Sequence, residues 1–144
     1  MNDQMQKEFN PSEGATIHLR LPSFPQYVSL ARLTVASVGN MIGFSVDDVE
    51  DLKVAVSEAC TNALCHGNCD EACYDLYYTV EPERLTICVS DNGEGYEPES
   101  IADPEINCAG GFGLFIIKAL MDEVRIVSSK GAGTSITMIK NLRD

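Results

Sequence analysis

Thr16-Ile-His-Leu-Arg-Leu21 alternates apolar and polar positions with the period of two that a half-buried strand requires, and Pro22-Ser-Phe-Pro25 closes it. Val28, Ala31, Val35 and Val38 then recur at helical spacing, which predicts a first helix over residues 26–42 with Gly43 at its end. Ser45-Val-Asp-Asp48 has the form of a capping box. A second helix is therefore expected from Val46 to about Gly67, with Val49, Leu52, Val56, Ala59 and Ala63 as its core stripe. Tyr74-Asp-Leu-Tyr-Tyr-Thr-Val80 and Leu85-Thr-Ile-Cys-Val89 alternate again, joined by Glu81-Pro-Glu-Arg84 as a hairpin turn. Residues 93–111 contain glycine and proline without a sustained period and read as loop. A third helix fits residues 113–121, and Val124-Arg-Ile-Val-Ser128 with Thr134-Ser-Ile-Thr-Met-Ile139 forms a last hairpin around Lys130-Gly-Ala-Gly133. The order β-α-α-β-β-α-β-β predicts an α/β chain of two layers, an α+β sandwich. Its sheet is mostly antiparallel and mixed, with three helices on one face.

The second helix carries a further stripe. Glu58, Asn62 and His66 stand four residues apart, and each such step turns about 40° and rises about 6 Å, so all three line one narrow face. An amide oxygen at Asn62 suits magnesium, which takes hard oxygen ligands. A carboxylate at Glu58 suits a general base for an attacking hydroxyl, and an imidazole at His66 could touch a phosphate. A solvated helix face is the competing reading of this spacing. Downstream, Asp91 precedes Asn92-Gly93-Glu94-Gly95, where a carboxylate can accept a hydrogen bond from an exocyclic amine such as that of adenine, and glycine lets the backbone approach a flat ring. A β-turn competes there. Gly110-Gly-Phe-Gly113 at the entrance of the third helix has the composition of a phosphate cradle, because amides at a helix N-terminus point at an anion. Gly131-Ala-Gly133-Thr134 reads first as a hairpin turn, with the Thr134 hydroxyl available for a water-mediated adenine contact. Four such elements in this order point to a nucleotide and its magnesium.

Length and charge narrow the picture. The 144 residues suit one domain, residues 15–144, behind a polar and flexible N-terminal arm, residues 1–14. No stretch approaches the roughly 18 apolar residues of a membrane span, and the opening residues lack the layout of a signal peptide. A cytoplasmic protein with no membrane partner is expected. A net charge of −12 argues against direct nucleic-acid binding, which relies on lysine and arginine, and favours a basic protein partner. It also leaves a bound triphosphate dependent on a divalent cation and backbone amides. The six cysteines read as reduced thiols. Cys65, Cys69 and Cys73 with His66 form a lesser metal-site alternative whose spacing is not that of paired C-x-x-C zinc motifs.

With these motifs the chain resembles the Bergerat-fold (GHKL) ATPases. Residues 58–67 look like the N box and residues 91–95 like the first glycine box, with 110–113 and 131–134 as the second and third. Phe24-Pro-Gln-Tyr-Val-Ser-Leu-Ala-Arg-Leu-Thr-Val-Ala and Glu50-Asp-Leu-Lys-Val-Ala-Val-Ser-Glu-Ala-Cys-Thr-Asn-Ala further resemble the anti-sigma-factor serine kinases of bacterial stress and sporulation switches, as does Leu120-Met-Asp-Glu-Val124. The resemblance implies a dimeric kinase that binds ATP or ADP with Mg²⁺. Such a kinase sequesters a sigma factor, or phosphorylates an anti-anti-sigma protein on serine or threonine. It implies adenine at Asp91, magnesium at Asn62, the acceptor hydroxyl at Glu58, and the ring and phosphates at Gly93, Gly95, Gly111 and Gly113. Arg32 falls where relatives contact protein partners. One departure is that no lysine or arginine lies between Asp91 and Lys118, where some relatives place a lid arginine. The alternative function is accordingly an ATP/ADP-binding regulatory module with little or no phosphoryl transfer. Lesser alternatives are a detached histidine-kinase-like catalytic domain and a metal-binding protein.

Overall fold

A computed structural model of the chain describes residues 14–66, 73–92, 112–129, 131 and 133–143, apart from the side chains of Cys65, His66 and Ser129. The described elements are β1 (Ala15–Pro22), a 3-10 turn (Pro25–Tyr27), α1 (Val28–Ile42), α2 (Val46–His66), β2 (Cys73–Glu81), β3 (Arg84–Asp91), α3 (Gly113–Leu120), β4 (Glu123–Ser129) and β5 (Gly133–Asn141). Gly14 is the one described residue of the expected N-terminal arm.

The α1–α2 hairpin follows from local chemistry. At the end of α1, Gly43 turns left-handed with φ of 107°, and the amides of Gly43 and Phe44 both reach the Gly39 carbonyl at 3.0 Å. Two residues later the Ser45 hydroxyl accepts the Asp48 amide at 3.1 Å and caps α2. Asp47 and Asp48 in the first turn favour the positive end of the helix dipole. The first helix starts later than its apolar spacing suggested, because the chain from Pro25 closes a tighter turn first, with Tyr27 N–H bonded to Phe24 O at 3.1 Å.

The sheet order is β1-β2-β3-β5-β4, and among the described strands every pairing is antiparallel. The expectation of a mixed sheet is thus corrected. After α3 the chain enters the outer edge as β4 and hairpins inward, so β5 runs against both β4 and β3. Register places Ile17, Tyr78, Ile87, Met138 and Val124 in one cross-strand row, and Leu19, Leu76, Val89, Ile136 and Ile126 in the next. These rows pack with Ala31, Val35, Leu52, Val56 and Ala59 of α1 and α2 into one core. Tyr78 also donates to the Ala31 carbonyl at 3.0 Å, which ties α1 to β2.

Strand pairing carries β2 and β3 beyond their apolar runs, to the Glu81↔Arg84 pair at one end and Tyr74↔Asp91 at the other. Asp91 is therefore the last residue of β3, two positions past Val89, the last apolar residue of its run. At the opposite end of the sheet Lys140 is only 5% exposed. Its ammonium donates to Leu120 O at 2.7 Å and stands 3.8 Å and 3.9 Å from Asp48 and Asp51.

Ser45→Ala removes the cap of α2 while leaving the core untouched. A urea titration is expected to show a loss of about 1 kcal/mol. An unshifted midpoint would mean the hydroxyl contributes nothing to the start of α2.

Candidate functional site

Beyond the two apolar rows, the next row on the same face is Leu21, Tyr74, Asp91, Thr134 and Ser128. Its last three members are polar yet 5%, 2% and 8% exposed. Burying a carboxylate and two hydroxyls costs free energy unless hydrogen bonds satisfy them. The Ser128 and Thr134 oxygens meet at 2.8 Å, and Ser128 Oγ reaches the Gly133 carbonyl at 3.4 Å.

Gly133 sets how close β5 comes to this row. It has φ of +80°, and a Cβ built on it would stand 2.2 Å from the Asp91 carbonyl oxygen and 3.1 Å from Asn92 Cα. No side chain fits that space, so the glycine that read as turn punctuation is a steric requirement of the site. Gly131 differs, since it shares the positive φ, at +86°, but a Cβ there would meet nothing within 4 Å.

Above β3 and β5 lies α2, which packs on both strands. Asn62 is 6% exposed, and its Nδ2 has no hydrogen-bond partner among the described residues. Glu58 stands one turn earlier and is half-buried. The helix therefore presents the acid and the amide on one stripe, as their spacing predicts. His66 is the last residue of α2, and its side chain lies outside the described residues. Gly113, buried, is the first residue of α3, which packs against α2. Phe112 at the N-cap supplies no side-chain hydrogen bond to the first turn of α3. Gly93, Gly95 and Gly111 lie outside the described residues.

These residues fit a nucleotide and its magnesium. The unpartnered Asn62 Nδ2 is a donor that an anionic oxygen of a bound nucleotide would satisfy, and the oxygen of the same amide is of the type magnesium selects. Asp91 and Thr134 offer polar groups at the floor, and Gly133 keeps that floor free of side chains.

Arg32 belongs to another surface. It is exposed on α1, with Nη1 3.5 Å from Ser57 Oγ, in a groove of about 250 Å³ whose other lining residues are Ser29, Leu33, Ala36 and Lys53. Among the described cysteines, Cys60 is fully buried and burial pushes its thiol up to about 11, partly offset by Tyr74 and Arg32. Cys60 is a core side chain. Cys73 accepts a hydrogen bond from Arg20 Nε at 3.2 Å. Among the described residues no three potential ligands cluster for a metal, while Cys69 and the side chains of Cys65 and His66, all of the alternative metal set, lie outside them.

Ser128 was missed in the sequence. Alternation along Val124-Arg-Ile-Val-Ser128 puts it on the face of Val124 and Ile126, so a serine ending an apolar face was the available signal. Nothing local shows that Thr134 is its neighbour.

Residues 21–140 match the model of the histidine kinase-like ATPase domain, and the chain belongs to that family. Within it, the chain is 36% identical over 139 residues to the serine-protein kinase RsbW of Bacillus velezensis, covering 87% of this chain and 86% of the relative. Identity is 39% over 140 residues with RsbW of Staphylococcus epidermidis (88% and 87% covered), and 40% over 127 residues with that of Oceanobacillus iheyensis (80% of each). This likeness makes the chain a member of the RsbW serine-protein kinase family. The crystal structure of the RsbU and RsbW domains of a Mycobacterium tuberculosis protein has the same fold, with a TM-score of 0.68 at 22% identity over 90% of this chain and 33% of that one.

Gly133→Ala and Gly131→Ala separate steric contact from backbone conformation. The second should cost about 1 kcal/mol for its positive φ. The first should cost at least about 2 kcal/mol more, since β5 must move off Asp91. Equal losses in a denaturant titration would show that the close approach does not constrain the site.

Proposed function

We propose that this chain is an ATP-dependent serine/threonine protein kinase and anti-sigma factor, which sequesters a sigma factor and phosphorylates an anti-anti-sigma protein. The observation that carries this reading is the buried row of Asp91, Thr134 and Ser128 beneath the helix that bears Glu58 and Asn62. The serine-protein kinase relatives supply the reaction class.

Mg·ATP supplies the phosphoryl group and the charge that neutralises it, and the chain contributes position and electrostatics. Asp91 accepts the exocyclic amine of adenine through its carboxylate, with Thr134 beside it in the sheet. Asn62 holds the cation through Oδ1. The N-terminal amides of α3, opened by Gly113 and preceded by Gly111, receive anionic oxygens, with His66 as a further phosphate contact. Gly93 and Gly95 allow backbone to lie against the ring. Glu58 orients the hydroxyl of the partner and accepts its proton on a carboxylate oxygen. With no lysine or arginine between Asp91 and Lys118, the transferring group would rely on these amides and the cation for charge stabilisation.

Arg32 and its groove bind the protein partners. The net charge of −12 suits a basic partner surface and disfavours direct nucleic-acid contact. Among the described residues no helix is long and apolar enough to cross a membrane. A homodimer acting in the cytoplasm completes the proposal.

Incubation with radiolabelled ATP and candidate anti-anti-sigma proteins tests the reaction, and absence of label on every partner would reject it. Asn62→Ala should abolish magnesium-dependent nucleotide binding. Because the variant removes a buried amide whose missing hydrogen bond costs about 1–3 kcal/mol, its nucleotide-free form should be no less stable than the wild type. Glu58→Ala should spare binding and remove transfer. If both variants labelled a partner at the wild-type rate, these roles would be wrong.

Arg32→Ala should weaken partner capture by about tenfold or more, with Mg·ATP affinity unchanged. Undiminished capture would remove the α1 groove from the partner site.

A further inference from the structure

Ser128 is buried on β4, outside every glycine motif, and its oxygen stands 2.8 Å from Thr134 Oγ1 and 3.4 Å from the Gly133 carbonyl. A hydroxyl carries one proton. The carbonyl can only accept, so Ser128 satisfies it by donating, and Thr134 satisfies Ser128 by donating in turn. Among the described residues, that arrangement uses the two hydroxyl protons for these two contacts. The reverse orientation, Ser128 donating to Thr134, would leave two oxygens facing each other at the Gly133 contact. Thr134 is thereby left with acceptor capacity alone, one strand away from the Asp91 carboxylate, which also only accepts.

From this chain of hydrogen bonds we infer that Ser128 is a specificity-determining positioning residue, which fixes the Thr134 hydroxyl as an acceptor so that the site selects a purine with an amino group at C6 over one with a carbonyl there. The inference rests on the adenine-binding role of Asp91. It adds a residue of β4 that acts on the nucleotide only through its neighbour. The isolation of the row supports it, since the preceding row on the same strands is Ile126, Ile136 and Val89, where a Ser128 equivalent would have no polar neighbour.

Calorimetric binding of Mg·ATP and Mg·ITP tests this, because the two bases differ in having an amino group or a carbonyl at C6. The wild-type protein should prefer ATP. Ser128→Ala frees the Thr134 proton to meet the carbonyl of ITP, so the ratio of the two affinities should fall by roughly tenfold, ATP weakening and ITP gaining. Ser128→Thr, which keeps the hydroxyl, should restore the ratio. A general loss of packing would weaken both nucleotides together and leave the ratio unchanged, and that outcome overturns the inference. If Ser128→Ala does not fold, Ser128→Cys keeps the volume with a poor hydrogen-bonding group and should lower the ratio in the same direction; an unchanged ratio there is equally fatal. A wild-type protein that binds ATP and ITP equally overturns the selectivity while leaving the nucleotide site standing. One that binds neither rejects the nucleotide reading itself.

Discussion

The inner face of the sheet changes from apolar to polar at a single row, and a glycine that no other residue can replace sets the spacing of that row. A Cβ at Gly133 would lie 2.2 Å from the Asp91 carbonyl oxygen, so β3 and β5 approach at the site only because the side chain is absent. Asp91, Thr134 and Ser128 then share one line across three strands, under cover of the helices. Had the face stayed apolar, as it is at Val89, Ile136 and Ile126, this end of the sheet would be ordinary core. Fold and site are thus continuous. The register that packs Ile87 against Met138 also delivers Asp91 beside Thr134.

The second helix serves both sides of that continuity. Leu52, Val56, Ala59 and Ala63 bury one stripe in the core, and the turn between Ala59 and Ala63 carries Asn62 with an amide nitrogen lacking a partner among the described residues. A buried unpaired amide is destabilising in the protein by itself. Its presence within a well-packed helix is understandable if the group is satisfied by what the site binds, an instance of local stability given up where function needs a polar group. Half-buried Glu58, one turn earlier, is directed by the same helix.

Features governed by near neighbours along the chain were the most legible. The capping box at Ser45, the left-handed stop at Gly43 and the apolar stripe of α2 all depend on residues within a turn or two, and the structure bears them out. Strand ends were less legible because pairing with a neighbour carries β3 through Ser90 and Asp91, past the last apolar residue of its run. The need for glycine at 133 and the hydroxyl pair of Thr134 with Ser128 were hidden for a related reason. Both arise from backbone register between strands, and the Gly133 contact spans more than forty positions in the chain. Of the proposed nucleotide contacts, Asn62, Asp91, Gly113 and Thr134 are described as side chains or backbone in place, whereas Gly93, Gly95, Gly111 and the His66 side chain lie outside the described residues.

Far from the polar row, Lys140 joins the two helices that border the site. Its ammonium takes the Leu120 carbonyl at the C-terminal end of α3 and stands near Asp48 and Asp51 in the opening turns of α2. A cation at a helix C-terminus is favourable, and a buried one is tolerated only where such partners surround it. Just beyond, the Asn141 amide donates to the Asp122 carboxylate at 2.7 Å and Arg143 pairs with the same group, so the chain after α3 is fastened to the end of β5. With α3 held at its C-terminal end, its eight residues project Gly113 about 12 Å away toward the glycine motif that precedes it.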